Sequence, residues 1–198
     1  MTATLGAILL AGGRAARMDG AVKPLFEVGG RTLLHAAVDA VTDAGAHPIT
    51  IAAPVLDPSL TAEWAREDPP YGGPVAGIVA ALDSWTAAPD PEWTFVLACD
   101  LPSVDAAVSR LVCDILLLPS DTDGLCLADA SSRPQWLTGV YRTAALRDAA
   151  QRLPDRGRNA PMRALLDDLA IAVVAAPDAT DDIDTWEDLK RAKERLDG

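Results

Sequence analysis

An α/β fold, a three-layer α/β/α sandwich around a mostly parallel mixed sheet, is what the order of the apolar segments predicts. Short apolar runs alternate with amphipathic stretches of helical length, the pattern of a parallel sheet with covering helices. Between residues 115 and 141 that alternation gives way to closely spaced short runs, joined by Gly, Asp and Ser, as in a hairpin insertion. The 198 residues show no internal repeat and no low-complexity linker, and they suffice for one substantial core. One domain spanning 1–198 is therefore expected.

The elements follow in order. Leu5–Leu10 is a buried strand that breaks at Gly12-Gly13. Residues 32–44 place Leu33, Leu34, Ala37, Val38 and Val41 at helical spacing, and Gly45 ends them. Residues 49–53 are a second strand, stopped by Pro54. Pro74 opens a helix that runs to about Trp85, and residues 89–91 form a loop. Trp93–Ala98 is the third strand, followed by a helix from Ser103. Residues 115–118 and Gly124–Ala128 read as short strands, 129–133 as a turn and 135–141 as the returning strand. Helices over Thr143–Arg152 and 161–168, a strand over Ile171–Ala175 and a helix from Thr185 complete the pattern.

Charge and composition narrow the function. The net charge of −12 argues against a nucleic-acid partner, because such binding rests on Lys and Arg contacts to phosphate. No apolar run approaches the length of a membrane span, and Met1 leads into the first strand without a basic segment, so neither a membrane nor a signal peptide is expected. Cys99, Cys113 and Cys126 are odd in number and far apart, without metal-ligand or disulfide spacing. They are expected to be buried reduced thiols, in a cytoplasmic protein.

Within this acidic chain, Leu9-Leu10-Ala11-Gly12-Gly13-Arg14-Ala15-Ala16-Arg17-Met18, with Lys23-Pro24 beyond it, is a local basic loop after a strand. Glycines there let backbone N–H groups approach an anion, and Arg17 and Lys23 add positive charge beside a polyphosphate. The spacing matches neither Gly-x4-Gly-Lys-Ser/Thr nor Gly-x-Gly-x-x-Gly. A metal carried by the anion would relieve the remaining repulsion. Asp100 closes the strand Phe95-Val96-Leu97-Ala98-Cys99, on the sheet edge where ligands of open α/β folds bind. It is placed either to hold Mg²⁺ or to cap the helix that starts near Ser103. The block Arg66-Glu67-Asp68-Pro69-Pro70-Tyr71-Gly72-Gly73-Pro74-Val75-Ala76-Gly77 leads into a helix N-terminus, either as a structural loop or as a source of donors to an anion or base. His35 and His47 have no evident partners and read as structural or solvated.

With these residues in place, the chain resembles the nucleotidyltransferases of the GT-A-like, Rossmann-related superfamily. That group includes the molybdenum cofactor guanylyltransferases, the cytidylyltransferase of the same cofactor and sugar-phosphate nucleotidyltransferases. The resemblance implies a Rossmann-like fold in which Leu10, Ala11, Gly12 and Gly13 contact GTP and Arg17 and Lys23 serve the phosphates. By the same resemblance Asp100 is the Mg²⁺ ligand, making Arg17, Lys23 and Asp100 the catalytic set. Gly-Pro-Val-Ala-Gly, ending at Gly77, resembles the family's Gly-Pro-Leu-Ala-Gly, and Asp68 matches an upstream aspartate that contacts the nucleotide. Ser132-Arg133-Pro134-Gln135-Trp136-Leu137 resembles an Arg-x-x-Pro stretch near the acceptor, implicating Arg133 and Gln135. Asp182-Ile183-Asp184-Thr185-Trp186-Glu187-Asp188-Leu189 resembles the terminal Asn-x-Asn-Thr-Pro-Glu-Asp-Leu, which adds Asp184; read from the residues alone, it is a helix N-cap.

The implied reaction transfers GMP from Mg–GTP to molybdopterin, or to another phosphorylated small-molecule acceptor, with release of pyrophosphate. Contact with proteins that make or receive the molybdenum cofactor is also implied. The rival readings are cytidylyl or sugar-phosphate transfer, and a non-catalytic nucleotide-binding relative. Three departures bear on base and acceptor: Met18-Asp19-Gly20 for Met-Gly-Gly, Ala52-Ala53-Pro54 where an asparagine often stands, and aspartates for the terminal asparagines.

Overall fold

The chain runs β1 (Leu5–Leu10), β2 (Glu27–Val28), β3 (Arg31–Thr32), α1 (Leu33–Asp43), β4 (Ala46–Ala52), β5 (Glu63–Ala65) and α2 (Pro74–Ser84). It continues through β6 (Trp93–Ala98), α3 (Val104–Ile115), β7 (Gly124–Ala128), β8 (Pro134–Arg142), α4 (Thr143–Arg152), α5 (Met162–Leu166), β9 (Ile171–Ala175) and α6 (Trp186–Leu196). This computed structural model describes residues 3–12, 18, 20–87 and 89–196.

Alternation along the central strands builds the layers. In β1, Ala7 and Leu9 are buried in one apolar cluster and Ile8 in another. In β6, Trp93, Phe95 and Leu97 join the first cluster and Val96 the second. Successive strand side chains leave on opposite faces, so a strand apolar on both must be covered twice. Helices α1 and α3 cover one face; α2, α4 and α5 cover the other. Thr32 caps α1, its hydroxyl accepting from the His35 N–H.

The main sheet has seven strands in the order β5-β4-β1-β6-β8-β7-β9. β8 runs antiparallel to β6 and β7, and the other pairings are parallel. The β7–β8 hairpin is thus part of the main sheet. From β1 the chain crosses to β4 on one side and returns through α2 to β6 on the other. The direction of winding reverses beside β1, which opens a crevice at the carboxyl ends of β1 and β6. The Cys99 N–H donates to the Leu10 carbonyl at 3.1 Å and holds those two ends together.

Two expectations are corrected. Residues 115–118 form no strand: Ile115 closes α3 and Leu116–Leu118 turn away. Leu111 and Ile115 belong to the apolar stripe of α3, and a short apolar run does not by itself distinguish strand from helix end. Cys113 lies off that stripe and is exposed, whereas Cys99 and Cys126 are buried. The short β5 and the β2–β3 hairpin were not anticipated, since two or three residues give no period to read.

Beside the carboxyl edge of the sheet lies a third, small core of Met18, Val28, Leu33, Ile183 and Ala192. It joins the loop after β1, the β2–β3 hairpin, α1 and the segment leading into α6.

Candidate active site

A cleft of about 800 Å³ opens over the carboxyl ends of β4, β1 and β6. Leu10, Ala11 and Gly12 form its floor, Ala52-Ala53-Pro54 one flank and Cys99-Asp100 the other. The start of α2 closes the rear. Gly73 caps that helix at φ +89°, a conformation other side chains rarely adopt, and Pro74 takes the first helical position. A Cβ on Gly77 would stand 3.3 Å from Leu10 Cδ2 and 3.4 Å from Ala52 Cβ, so a glycine there lets α2 settle onto the floor. No side chain caps the first N–H groups of α2, leaving its positive end toward the cleft.

The charged end of the cleft lies between β1 and β6. Lys23 begins a one-turn 3-10 helix, Lys23–Leu25, seated by the buried Pro24. Its Nζ is 2.6 Å from Asp184 Oδ1 and 3.8 Å from Asp100 Oδ2. Asp100, Asp182 and Asp184 each present an oxygen within 4.8 Å of the others. Ile183 explains the convergence. Its side chain is fully buried in the small core, and its N–H donates to the Asp100 carbonyl at 3.0 Å, so both flanking carboxylates are delivered beside β6. A capping box then starts α6: Thr185 Oγ1 accepts from the Asp188 N–H at 3.2 Å, and Asp188 Oδ2 accepts from the Thr185 N–H at 2.7 Å.

Asp100 is pushed up to about 6, first by burial, then by Asp182, with Lys23 pulling the other way and Asp184 adding to the rise. Asp182 is also raised, by burial and by Asp184. Asp100 does not cap α3, which starts after Ser103 without a side-chain cap. Among the described residues Lys23 supplies one positive charge against three carboxylates. An all-oxygen, anionic donor set of this kind fits a hard divalent cation shared with phosphate oxygens, and it contains neither the His nor the Cys that zinc favours. Lys23 is placed to bind the same phosphates.

The other end of the cleft, beyond β5, is walled by Arg66, Glu67 and Tyr71. The Arg66 guanidinium lies 5.5 Å from the Tyr71 ring centroid. Glu67 Oε1 accepts from the Gly72 N–H at 3.1 Å. Tyr71 holds φ +66°, a strained conformation of the kind found at ligand-binding loops.

The structure brings Leu10, Ala11, Gly12, Lys23, Gly77 and Asp100 together around this cleft, with Asp184 joined through Lys23. Asp68 is exposed beside a wall made by its neighbour Glu67. Arg133 and Gln135 shape the hairpin turn. Asp129 accepts from the N–H groups of Ser131 and Arg133 and from Gln135 Nε2, and Leu137 is the β8 residue that reaches the cleft. Gly13 and Arg17 lie outside the described residues. His35 meets Thr32 and Asp57. Asp182 and Glu67 had not been singled out. The Asp-Ile-Asp alternation is the one sequence signal that could have found Asp182, while nothing separates Glu67 from Asp68 before the loop is folded.

The MobA-like NTP transferase domain family matches residues 7–172. A molybdenum cofactor guanylyltransferase from Bradyrhizobium is 32% identical over 157 residues, 71% of this chain and 67% of that protein. One from Rhodopseudomonas palustris is 40% identical over 104 residues, 48% of this chain; the match spans about half of that relative's length, also 48%. The crystal structure of a molybdopterin-guanine dinucleotide biosynthesis protein A from Archaeoglobus fulgidus superposes with a TM-score of 0.72. It is 21% identical, with 97% of this chain and 98% of that chain covered, and shares the fold. Among the described residues no helix is long and apolar enough to cross a membrane.

Proposed function

The chain belongs to the MobA-like NTP transferase domain family, and on that premise we propose that it transfers GMP from Mg–GTP to molybdopterin. The oxygen of the acceptor phosphate attacks the α-phosphorus, the α–β bridging P–O bond breaks, and pyrophosphate leaves with that electron pair. A phosphate nucleophile is already ionised, so the step asks for alignment and charge stabilisation and needs no protein base. A bound Mg²⁺ would neutralise phosphate charge and polarise the α-phosphate.

The observation that carries this reading is the placement of Lys23 between Asp100 and Asp184 at the carboxyl ends of β1 and β6. Asp100, with Asp182 and Asp184 beside it, would hold the cation from the protein side. Lys23 exchanges its carboxylate contacts for triphosphate oxygens when nucleotide enters. Gly12 and the open N-terminus of α2 supply backbone N–H groups to the same anion. By the family resemblance Gly13 and Arg17 are assigned to the same phosphates, and Arg133 and Gln135, on the hairpin turn, to the acceptor. The buried free thiols Cys99 and Cys126 suit a reducing compartment, and we assign the chain to the cytoplasm.

Pyrophosphate release tests the proposal. The full chain, with molybdopterin and Mg²⁺, should release pyrophosphate from GTP and bind GTP at least about 10-fold more tightly than CTP, ATP or UTP, a difference of about 1.4 kcal/mol. Release only with CTP and its acceptor, or no release with any nucleotide, would remove the assignment.

A further inference from the structure

We propose that Trp186 is a positioning residue: through Phe26 it holds the segment bearing Lys23 against the segment bearing Asp184 once nucleotide has drawn the lysine away. This rests on the nucleotidyl-transfer reading. Lys23 and Asp184 are 161 positions apart in the chain. Besides the small core, two side-chain contacts join their segments. One is the ion pair, with Lys23 Nζ 2.6 Å from Asp184 Oδ1. The other is aromatic: the Phe26 and Trp186 ring centroids lie 5.5 Å apart with their planes at 40°, a tilted arrangement of the kind that the ring quadrupoles favour.

Each ring is tied closely to one member of the ion pair. The Phe26 N–H donates to the Lys23 carbonyl at 2.9 Å, ending the 3-10 turn that Lys23 opens, and the Phe26 carbonyl accepts from the Leu33 N–H at 3.0 Å. Trp186 begins α6, directly after the Thr185 cap and two residues beyond Asp184. At 52% exposed it adds little to any core, and the contact with Phe26 is what it offers the site. In the resting site the two links are redundant, because either one keeps the segments close enough for the other to form. Triphosphate oxygens then replace Asp184 at the Lys23 ammonium, and a cation among the aspartates repels that ammonium. The ion pair is lost as a link. The aromatic contact is uncharged and touches neither ligand, so it persists and keeps the Lys23 turn within reach of phosphates that the cation holds on the aspartates.

The test compares loaded and ligand-free protein. The full chain is titrated calorimetrically with Mg²⁺ and whichever of GTP, CTP, ATP and UTP the wild type binds most tightly. Trp186→Ala should weaken that nucleotide about 3- to 10-fold, the range of one aromatic contact, and raise the Mg²⁺ concentration for half-saturation in step. Trp186→Phe keeps a ring against Phe26 and should stay within about 2-fold of wild type. Without ligand, Trp186→Ala should lower Tm by less than about 2 °C, because the ion pair still joins the segments. In a Lys23→Met background, where that pair is gone, the same substitution should lower Tm at least twice as much, the non-additivity expected of redundant links. Equal Tm losses in the two backgrounds, or unchanged nucleotide affinity in Trp186→Ala, overturn the role of Trp186 and leave nucleotidyl transfer standing. A Trp186→Ala chain that does not fold shows the ring to be a structural prop and overturns it likewise. A wild type that binds none of the four nucleotides overturns both readings.

Discussion

Lys23 has little freedom in the resting site: its side chain is only 15% exposed, and Asp184 and Asp100 both face it. Lys23→Met keeps the stem and removes the charge. Turnover should fall at least 100-fold, since one opposing charge in a water-poor phosphate site is worth several kcal/mol; near-normal initial rates of pyrophosphate release would exclude Lys23 from the site. Asp100 makes a sharper case. Its carboxyl moves from 3.8 to about 6 on folding, so the folded state holds its proton more tightly than the unfolded one. The group therefore costs nothing below about pH 4, becomes destabilising as pH climbs from 4 to 6, and is fully so above 6. Two pKa units set an upper limit of about 3 kcal/mol. Asp100→Asn should unfold at higher temperature than wild type at pH 7.5 in metal-free buffer, with the gap closing toward pH 4, and should lose metal-dependent turnover. Thermal melts across that range check it, and a variant less stable at pH 7.5 would show that the carboxylate is needed for folding. Asp100 was legible because it stands two positions past an apolar strand, and Lys23 because it and Pro24 close the basic stretch that follows the glycine pair. Asp182 and Glu67 were not, because burial of Ile183 and the fold of the 66–73 loop decide which of several neighbouring carboxylates turns inward.

At the scale of elements, the site depends on how α6 begins. The capping box between Thr185 and Asp188 is continuous with Asp184, whose N–H also donates to Asp188 Oδ2 at 3.2 Å. Hydrogen bonds from Thr185 and Asp184, with Arg191 nearby, keep the Asp188 carboxyl below its ordinary value, so its stabilisation is complete above about pH 4 and fades in stronger acid. Thr185→Ala should cost about 1 kcal/mol, speed amide exchange at the start of α6, and reduce kcat although residue 185 does not line the cleft, because Asp184 loses its support. Unchanged exchange and turnover would mean that Ile183 alone positions the aspartates. Sequence patterns recovered the elements that have a period to read. Thr143–Arg152 and Ile171–Ala175 came out as found because a full apolar stripe or a complete strand separates them from their turns. Residues 115–118 were misread because Ile115, the last residue of α3, is followed by three consecutive leucines in the turn beyond it. The main sheet's β5 was missed because its three residues are half-buried or exposed and pair on one side only. The cleft depends at its far end on β5 and the loop after it, and was correspondingly less legible there than at β1 and β6.

The whole molecule carries −12, and its proposed ligand is also an anion, so charge governs how the pieces assemble. GTP alone would meet three converging carboxylates as well as the long-range field of an acidic protein. Mg²⁺ alone would meet those carboxylates with the Lys23 ammonium already among them, and Mg²⁺ seldom relies on an all-protein cage. Bound together, the cation offsets the repulsion between phosphates and aspartates, and the phosphates draw Lys23 away from Asp184. Each ligand thus removes the main obstacle to the other, which is a positive coupling free energy and must be reciprocal. At a ligand concentration about 100 times the dissociation constant, binding adds about 2.7 kcal/mol of stability. For a domain of this size each kcal/mol moves Tm by about 2–4 °C. Mg²⁺ with GTP should therefore raise Tm by about 5–10 °C, while either one alone gives a shift near zero. Differential scanning fluorimetry with GTP, Mg²⁺ and both, at constant ionic strength, reads the coupling directly. Additive shifts would mean that metal and nucleotide occupy independent sites, and the aspartate cluster would then have no part in holding the triphosphate.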